Sequence, residues 1–171
     1  AACPVTSCAA DTDNSAPADT ARTPLPVPPA ERLAEVFPGF KLTRELAEPF
    51  PCLAIYGPAD SLLGFVADSD EAGTTAEGYT GPVPVRAYLD PAGLILDFEV
   101  LRNRETPGYL AMALGCDFRD RMKAYRPLQD EPVDAVSFAT ITSAAIIRGL
   151  TGVVDRLSGE LISPPPGPGK K

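Results

Sequence analysis

The sequence of 171 residues contains no histidine, and this absence excludes several classes of chemistry. Without histidine there is no Ser-His-Asp or Cys-His mechanism, no usual haem ligand and no common catalytic zinc site. None of the four cysteines has C-x-x-C spacing, so a zinc ribbon or an iron–sulfur site has no support. The G-x-G-x-x-G and Walker A sequences of common nucleotide-binding loops are also missing. A catalytic or redox role therefore requires an organic cofactor or carboxylate chemistry.

Positive charge is scarce as well. The chain has 15 Lys and Arg against 23 Asp and Glu, a net charge of -8. This balance argues against binding nucleic acid or an anionic membrane surface. No apolar run is long enough to span a bilayer, and no basic-then-apolar signal peptide is present. The chain begins with Ala1-Ala2-Cys3, so we expect a missing leader or anchor; Cys3 is either a lipidated cysteine or part of a disordered stub.

The cysteines do not decide whether the protein works in an oxidising or a reducing compartment. Their even number permits disulfides in an oxidising environment. Small apolar side chains of this kind are often simply buried, so we predict that Cys52 and Cys116 are buried single residues rather than a bridge.

Two proline-rich ends enclose one predicted domain. Residues 1–28 are mainly Ala, Thr, Asp, Ser and Pro and are predicted to be a disordered linker, and residues 160–171 a disordered Pro/Gly tail. Residues 29–159 remain for the domain, and the 44% of apolar residues is an ordinary value for a globular protein.

Four apolar segments of this domain predict two β-hairpins. Residues 51–56 and 62–67 flank a Gly-Pro-Ala-Asp turn. Residues 83–89 and 94–100 alternate apolar and polar side chains on either side of Asp-Pro-Ala-Gly at 90–93, which has the residues of a type I turn. Alternation with one polar face indicates an antiparallel sheet that is covered on one side.

Helices are predicted before and after these hairpins. The first begins near Pro29 and ends at Pro38-Gly39. A later segment places Phe118, Met122 and Tyr125 on one face. The last helix is the most regular and ends at Ser158-Gly159; its apolar stripe consists of Ile146, Leu150, Val153 and Leu157. Together with the hairpins, these helices predict an α+β domain.

Hydroxyl groups crowd the start of the last helix. Four of them occur within seven residues, in Ser137, Thr140, Thr142 and Ser143, and Asp134 precedes them. Such residues commonly cap a helix by accepting from its free N–H groups, and on spacing alone capping is favoured. A helix start is also a ready phosphate site, because its free N–H groups and its dipole favour an anion.

These residues resemble a known motif. The chain is similar to the FMN-binding domains found in the G subunit of Rnf complexes, in the C subunit of sodium-pumping Nqr complexes and in nitrous-oxide-reductase regulatory proteins. The flavinylation pattern of that family is Asp-x-x-Ser/Thr-Gly-Ala-Thr, which Asp134, Ser137, Ala139 and Thr140 match. Two further segments match the family, and they occur in the same order along the chain. Residues 78–82 resemble the entry to the central hairpin, and residues 105–108 resemble the loop that packs on the isoalloxazine ring. The resemblance runs from about Leu53 to Leu157.

The resemblance implies FMN esterified through its phosphate to Thr140 by a magnesium-dependent flavin transferase. That enzyme would recognise Asp134, Ser137 and Thr140. The phosphate would meet the N–H groups of Ile141, Thr142 and Ser143 and the hydroxyls of the last two, with capping as the alternative role. Tyr109 would line the ring unless it is a core aromatic. The other residues that the resemblance places at the cofactor are Glu105, Thr106, Gly108, Ser137 and Ala139.

The implied function is electron transfer with no independent substrate site. Its partners would be the flavin transferase and a membrane redox complex or other electron-transfer proteins. The implied location is extracytoplasmic, on the periplasmic or outer face of the membrane, with an anchor absent from this chain.

One residue departs from the pattern, since Phe138 stands where the family has Gly. Glycine serves an unusual backbone angle or a close approach of the phosphate, and Phe is expected to block either. If the transferase accepts Phe138, its ring packs on the flavin or in the core. If not, flavin is bound loosely or lost, and the domain is a sensory or structural module. A third hypothesis is an unrelated secreted binding domain whose hydroxyls only cap the helix.

Overall fold

The computed structural model describes residues 25–162. Of the linker predicted for residues 1–28 and the tail predicted for 160–171, only residues 25–28 and 160–162 lie inside this range. Within it, helices surround a central sheet, as an α+β domain requires. The helices are α1 (Ala30–Val36), α2 (Ser69–Ala72), α3 (Pro107–Ala113), α4 (Cys116–Met122) and α5 (Thr140–Leu157). The strands are β1 (Leu42–Leu46), β2 (Cys52–Tyr56), β3 (Leu62–Asp68), β4 (Ala76–Glu77), β5 (Pro82–Val83), β6 (Val85–Leu89) and β7 (Ile95–Val100).

The central sheet has five antiparallel strands in the order β1-β2-β3-β6-β7. Both predicted hairpins are confirmed as β2–β3 and β6–β7. The fifth strand, β1, was not predicted, because its sequence Leu-Thr-Arg-Glu-Leu lies at an edge and buries no residue fully. A separate small sheet joins β4 to β5 and was also missed, since two-residue strands carry no periodic signal.

Both faces of the central sheet are covered, so the prediction of one covered side is wrong. On the inner face, Val85 and Ala87 pack under α5. On the outer face, Tyr88 is fully buried against α1. A register shift between Tyr88 and Leu89 changes the alternation of the hairpin. Strict alternation over 94–100 would put Leu96 on the same face as Phe98, but Leu96 packs on the outer core and Phe98 on the inner one.

Helix α5 lies across the inner face and forms the main core with it. Its predicted apolar stripe is confirmed, since every member is buried: Ile146, Leu150, Val153 and Leu157. Two glycines on this helix permit close packing. A Cβ at Gly149 would lie 2.8 Å from Val85 Cγ2, and a Cβ at Gly152 would lie 2.7 Å from Thr74 Cβ.

The outer core consists of α1 and the segment before it. Leu33 and Phe37 pack on the sheet, and Arg32 ties α1 to β7 by ion pairs to Asp97 at 2.6 Å and Glu99 at 2.8 Å. The packed region exceeds the predicted limits of 29–159 at both ends. Leu25 belongs to the outer core, and at the other end Ile162 is buried in the inner one.

The described residues also bear on the cysteine and membrane predictions. Cys52 is a buried free thiol, and burial raises its pKa to about 11. No helix within residues 25–162 is long and apolar enough to cross a membrane.

Candidate functional site

Three segments meet beside the start of α5, and Glu105 holds them together. These segments are the turn between β4 and β5, the residues before α3, and the first turn of α5. Glu105 is only 7% exposed. One of its carboxylate oxygens accepts from the backbone N–H of Thr80 at 2.7 Å, and the other accepts from the hydroxyl of Thr142. The side chain therefore joins positions that are far apart in the sequence.

The Glu105 carboxylate stays ionised in this position. Burial by itself raises its pKa, but hydrogen bonds from the Thr142 hydroxyl and from Thr80 outweigh burial and hold the pKa below its usual value. Gly78 provides the room for this group. A Cβ at position 78 would lie 2.9 Å from Glu105 Oε1 and 2.5 Å from Val83 Cγ2, so a larger residue would displace the carboxylate or the strand.

Helix α5 starts with unpaired backbone donors. Thr140 is its first residue, and no side chain caps it. In the part of the chain that the structure describes, the N–H groups of Thr140, Ile141 and Thr142 have no acceptor, as is usual for a first helical turn. The prediction included Ser143 among the free donors, which is wrong, because its N–H donates to the Ala139 carbonyl at 3.0 Å.

Two predicted hydroxyl donors are occupied within the protein. Thr142 donates to Glu105, and the Ser143 hydroxyl donates to the Ala139 carbonyl at 2.9 Å while it accepts the N–H of Val136 at 2.8 Å. Each hydroxyl has a single hydrogen. Neither has one left for a phosphate. The Ser143 hydroxyl binds the backbone of the loop before α5 and does not cap the helix, whereas Thr142 makes a tertiary contact.

The residues matched to the flavinylation motif are open to solvent, with one exception. Thr140 is exposed, and its hydroxyl donates only a long hydrogen bond of 3.2 Å to the Val136 carbonyl. Asp134 and Ser137 are exposed as well, whereas Ala139 is buried. Another protein therefore has direct access to the three residues that the sequence assigned to transferase recognition.

Phe138 has the backbone conformation that glycine favours. Its φ is 67°, in the left-handed region that non-glycine residues rarely adopt, and its side chain is 87% exposed. The expectation that Phe blocks the unusual angle is therefore wrong. Of the two alternatives for its ring, packing in the core is excluded, because almost all of the residue lies in solvent.

A cavity of about 270 Å³ opens at this point. Its walls come from the β4–β5 turn, α3 and the start of α5. The lining residues are Tyr79, Tyr109, Phe138, Ala139, Thr140, Ile141 and Thr142. The Tyr79 and Tyr109 rings lie 6.1 Å apart at an angle of 48°. We call this cavity the aromatic slot; none of its lining residues is charged.

The structure brings together only part of the predicted ring site. Tyr109 lines the aromatic slot and is 46% exposed, so it is not a core residue. Glu105 lies behind the slot and has both oxygens occupied. Thr106 and Gly108 are exposed at the start of α3 but are not part of the slot lining, and their contact with a flavin stays a prediction.

Two slot residues were not assigned to the cofactor from the sequence. Tyr79 was seen only as part of the segment before the central hairpin, and Phe138 was a departure from the motif for which packing on the flavin was one of the alternatives. From the sequence, Tyr79 could have been found as an aromatic residue inside a polar turn, and it is 67% exposed in the structure. Phe138 could have been found from its position two residues before Thr140.

Comparison with known proteins agrees with this geometry. Residues 78–155 match the FMN-binding domain family. The chain is also similar to the G subunit of a proton-translocating ferredoxin:NAD(+) oxidoreductase complex from Clostridium ljungdahlii, with 29% identity over 92 residues. That alignment covers 48% of this chain and 50% of the relative, so the chain spans about half the length of the curated relative it matches. The matched region includes the β4–β5 turn, Glu105 and all of the slot, so over residues 78–155 the chain is similar to the FMN-binding domain family.

Proposed function

We propose that this protein is an electron-transfer domain that carries FMN as a phosphoester on Thr140. The observation that supports the proposal most is one juxtaposition. An exposed threonine hydroxyl, three unpaired backbone donors and an aromatic slot all meet at the start of α5. A flavin phosphate needs the first two features, and a planar ring system needs the third.

The donor set suits a phosphate diester. Such a group retains one negative charge, and no charged side chain lines the slot. The N–H groups of Thr140, Ile141 and Thr142 and the positive end of the α5 dipole would meet that charge. Neutral donors at a helix start are a common way to hold phosphate, so the absence of Lys and Arg from the lining agrees with the proposal.

The apolar surface around the slot suits a planar ring. Seven large hydrophobic residues are exposed among the described residues, and four of them line the slot. These four are Tyr79, Tyr109, Phe138 and Ile141. Clustered exposed apolar residues mark binding sites more often than scattered ones do. The concentration at one place is what an aromatic ligand requires.

Attachment would be a phosphoryl transfer to the threonine. The Thr140 oxygen would form the new ester bond to the phosphorus of the FMN half of a flavin dinucleotide, whose pyrophosphate bond would break. The nucleoside monophosphate would leave, and the hydroxyl proton would pass to the leaving group or to solvent. The exposed Asp134 and Ser137 would be read by the transferase during this step.

The FMN, when attached, would supply electron exchange, while the protein sets its position and exposure. A tether keeps the local flavin concentration high without a free pool, which suits an extracytoplasmic protein. The relative is a subunit of a proton-translocating complex. We therefore propose that this chain works outside the cytoplasm with a membrane redox complex as its electron partner.

Intact mass after co-expression with a flavin transferase tests the attachment site. We expect wild-type protein to gain one FMN and Thr140→Ala to gain none, because the accepting oxygen is gone. Thr151→Ala is the matched control, since it removes a threonine hydroxyl further along α5. Phe138→Gly restores the residue of the family and should keep or raise the yield.

An adduct that survives Thr140→Ala would refute the assigned site. A wild-type chain that gains no mass beside a co-expressed flavoprotein that does would refute covalent attachment, and the domain would then be a module with loosely bound or lost flavin.

A further inference from the structure

We propose that Phe138 is a wall of the aromatic slot that holds the flavin ring together with Tyr79 and Tyr109, which line the same cavity. This inference rests on the proposed function, since it names a flavin as the occupant of the slot. It assigns to Phe138 a defined role in binding, where the sequence left open whether its ring packs on the flavin, packs in the core or marks the loss of flavin.

The conformation of Phe138 is the first observation. Its φ of 67° is unfavourable for a residue with a Cβ, and strained residues concentrate at functional sites. Packing does not explain the strain, because the residue is 87% exposed. No aromatic or cation contact involves its ring among the described residues. The fold therefore gains nothing visible from a phenyl ring at this position.

The position of Phe138 is the second observation. The slot has aromatic side chains from two separate parts of the fold. Tyr79 comes from the β4–β5 turn and Tyr109 from α3, and they already form a pair. Phe138 comes from the turn before α5 and lines the same cavity. A flat ring system between these groups would contact aromatic side chains from more than one segment.

The chain order makes Phe138 suited to this role. It precedes Thr140 by two residues, and both residues line the slot. The left-handed turn directs the chain into α5 while the phenyl side chain remains in solvent. Glycine at the same place would allow the same turn and leave that side of the slot open.

Binding of lumiflavin, the bare three-ring system, tests the wall without any covalent step. Full-length protein is made in a host that lacks the transferase and titrated with lumiflavin by calorimetry. We expect Phe138→Leu to weaken binding by about two- to tenfold, the effect that one aromatic pair supplies. Phe138→Trp should restore or strengthen binding. Leu keeps the Cβ and the apolar character, so the comparison isolates the aromatic ring.

The control variant is Leu62→Ala, which shortens another exposed apolar residue outside the slot and should leave the affinity unchanged. Equal lumiflavin affinity in wild type, Phe138→Leu and Phe138→Trp would overturn the inference, as would an absence of lumiflavin binding in all of them.

A second measurement separates this inference from the proposed function. In protein with attached FMN, Phe138→Leu should shift the visible absorption band of the flavin, whereas Leu62→Ala should not. Attachment at Thr140 with neither a band shift nor a change in lumiflavin affinity would overturn the wall and leave the proposed function intact. If lumiflavin affinity depends on Phe138 but the chain never gains the mass of FMN, the proposed covalent attachment would be overturned and the role of Phe138 in the slot would stand.

Discussion

At the scale of single residues, Glu105 and Phe138 have opposite relations to the candidate site. Glu105 lies in the segment that the sequence motif places on the flavin ring, yet its carboxylate is buried and bound to Thr80 and Thr142. It positions the slot without lining it. Phe138 breaks the motif, yet its side chain lines the slot. A matched motif therefore identifies the neighbourhood of a site, and the side-chain contacts decide which residues line it.

The Glu105 carboxylate predicts an acid-sensitive contribution to stability. Glu105→Gln should lower the free energy of unfolding at pH 7 by about 1–3 kcal/mol, because it replaces an ionised acceptor of hydrogen bonds from Thr80 and Thr142. The folded-state pKa is lowered, so the wild-type contribution is present above the unfolded value of 4.5 and is lost as the pH falls through the folded value. Urea unfolding at pH 7 and at about pH 3 should show the difference between the two proteins shrinking at the lower pH.

Glu77→Gln is the control for this experiment, because Glu77 is exposed on β4 and should change stability by less than about 0.5 kcal/mol. A Glu105→Gln effect of equal size at both pH values would show that the carboxylate charge does not contribute.

At the scale of elements, helix α5 carries both the core and the candidate site. Its apolar stripe fixes its rotation on the sheet, and two glycines fix its distance. The start of the helix is held independently, since Thr142 is bound to Glu105 and Ser143 to the preceding loop. Thr140 therefore stands at the end of an element that is anchored along its length.

Close packing at Gly149 predicts a cost for a single methyl group. Gly149→Ala should destabilise the protein by about 1–2 kcal/mol, because the contact with Val85 Cγ2 at 2.8 Å outweighs the better helix propensity of alanine. Gly108→Ala is the matched comparison in α3, where a Cβ meets nothing within 4 Å. It should raise stability by up to about 1 kcal/mol. Thermal unfolding of both variants measures the contrast.

The same pair informs the predicted flavin contact of Gly108. If Gly108 approaches the ring, Gly108→Ala should weaken lumiflavin binding although it stabilises the fold.

The packing argument would be contradicted if Gly149→Ala and Gly108→Ala both raised the stability of the protein, or if both lowered it.

The regular elements were predictable from the sequence, and the contacts that shape the site were not. Helix α5 and the two hairpins follow from apolar periodicity over many residues. Strands β1, β4 and β5 are short or polar and carry no such signal. The bonds of Glu105 join residues 25 and 37 positions away, and periodicity does not report pairs at that distance. The left-handed turn at Phe138 was suggested by the glycine of the family motif, but Phe was expected to block it because a residue with a Cβ rarely adopts that conformation.

At the scale of the whole molecule, the sheet separates two cores with different tasks. The inner core holds α5 and, through it, the start of the helix beside the slot. The outer core holds α1 and the residues before it. Ion pairs bind the two layers at the sheet edge, since Asp97 contacts Arg32 of α1 and Arg119 of α4. The family match begins at Gly78, after the segments that build most of the outer core.

A shared sheet predicts that the outer core unfolds together with the rest of the described domain. Leu33 is 1% exposed, and Leu33→Ala should lower the free energy of unfolding by about 2–5 kcal/mol, because it leaves a cavity between α1 and the sheet. Tyrosine fluorescence, which includes the buried outer-face Tyr88, and far-UV circular dichroism, dominated by helices such as α5, should give the same urea midpoint. Leu62→Ala, at an exposed position, should change that midpoint little. Separate midpoints for the two signals would show instead that α1 is an independent layer.

Where Leu33→Ala remains folded, its FMN adduct yield should equal that of wild type, since the sheet lies between Leu33 and Thr140. Loss of the adduct in folded Leu33→Ala would show that the outer core shapes the slot.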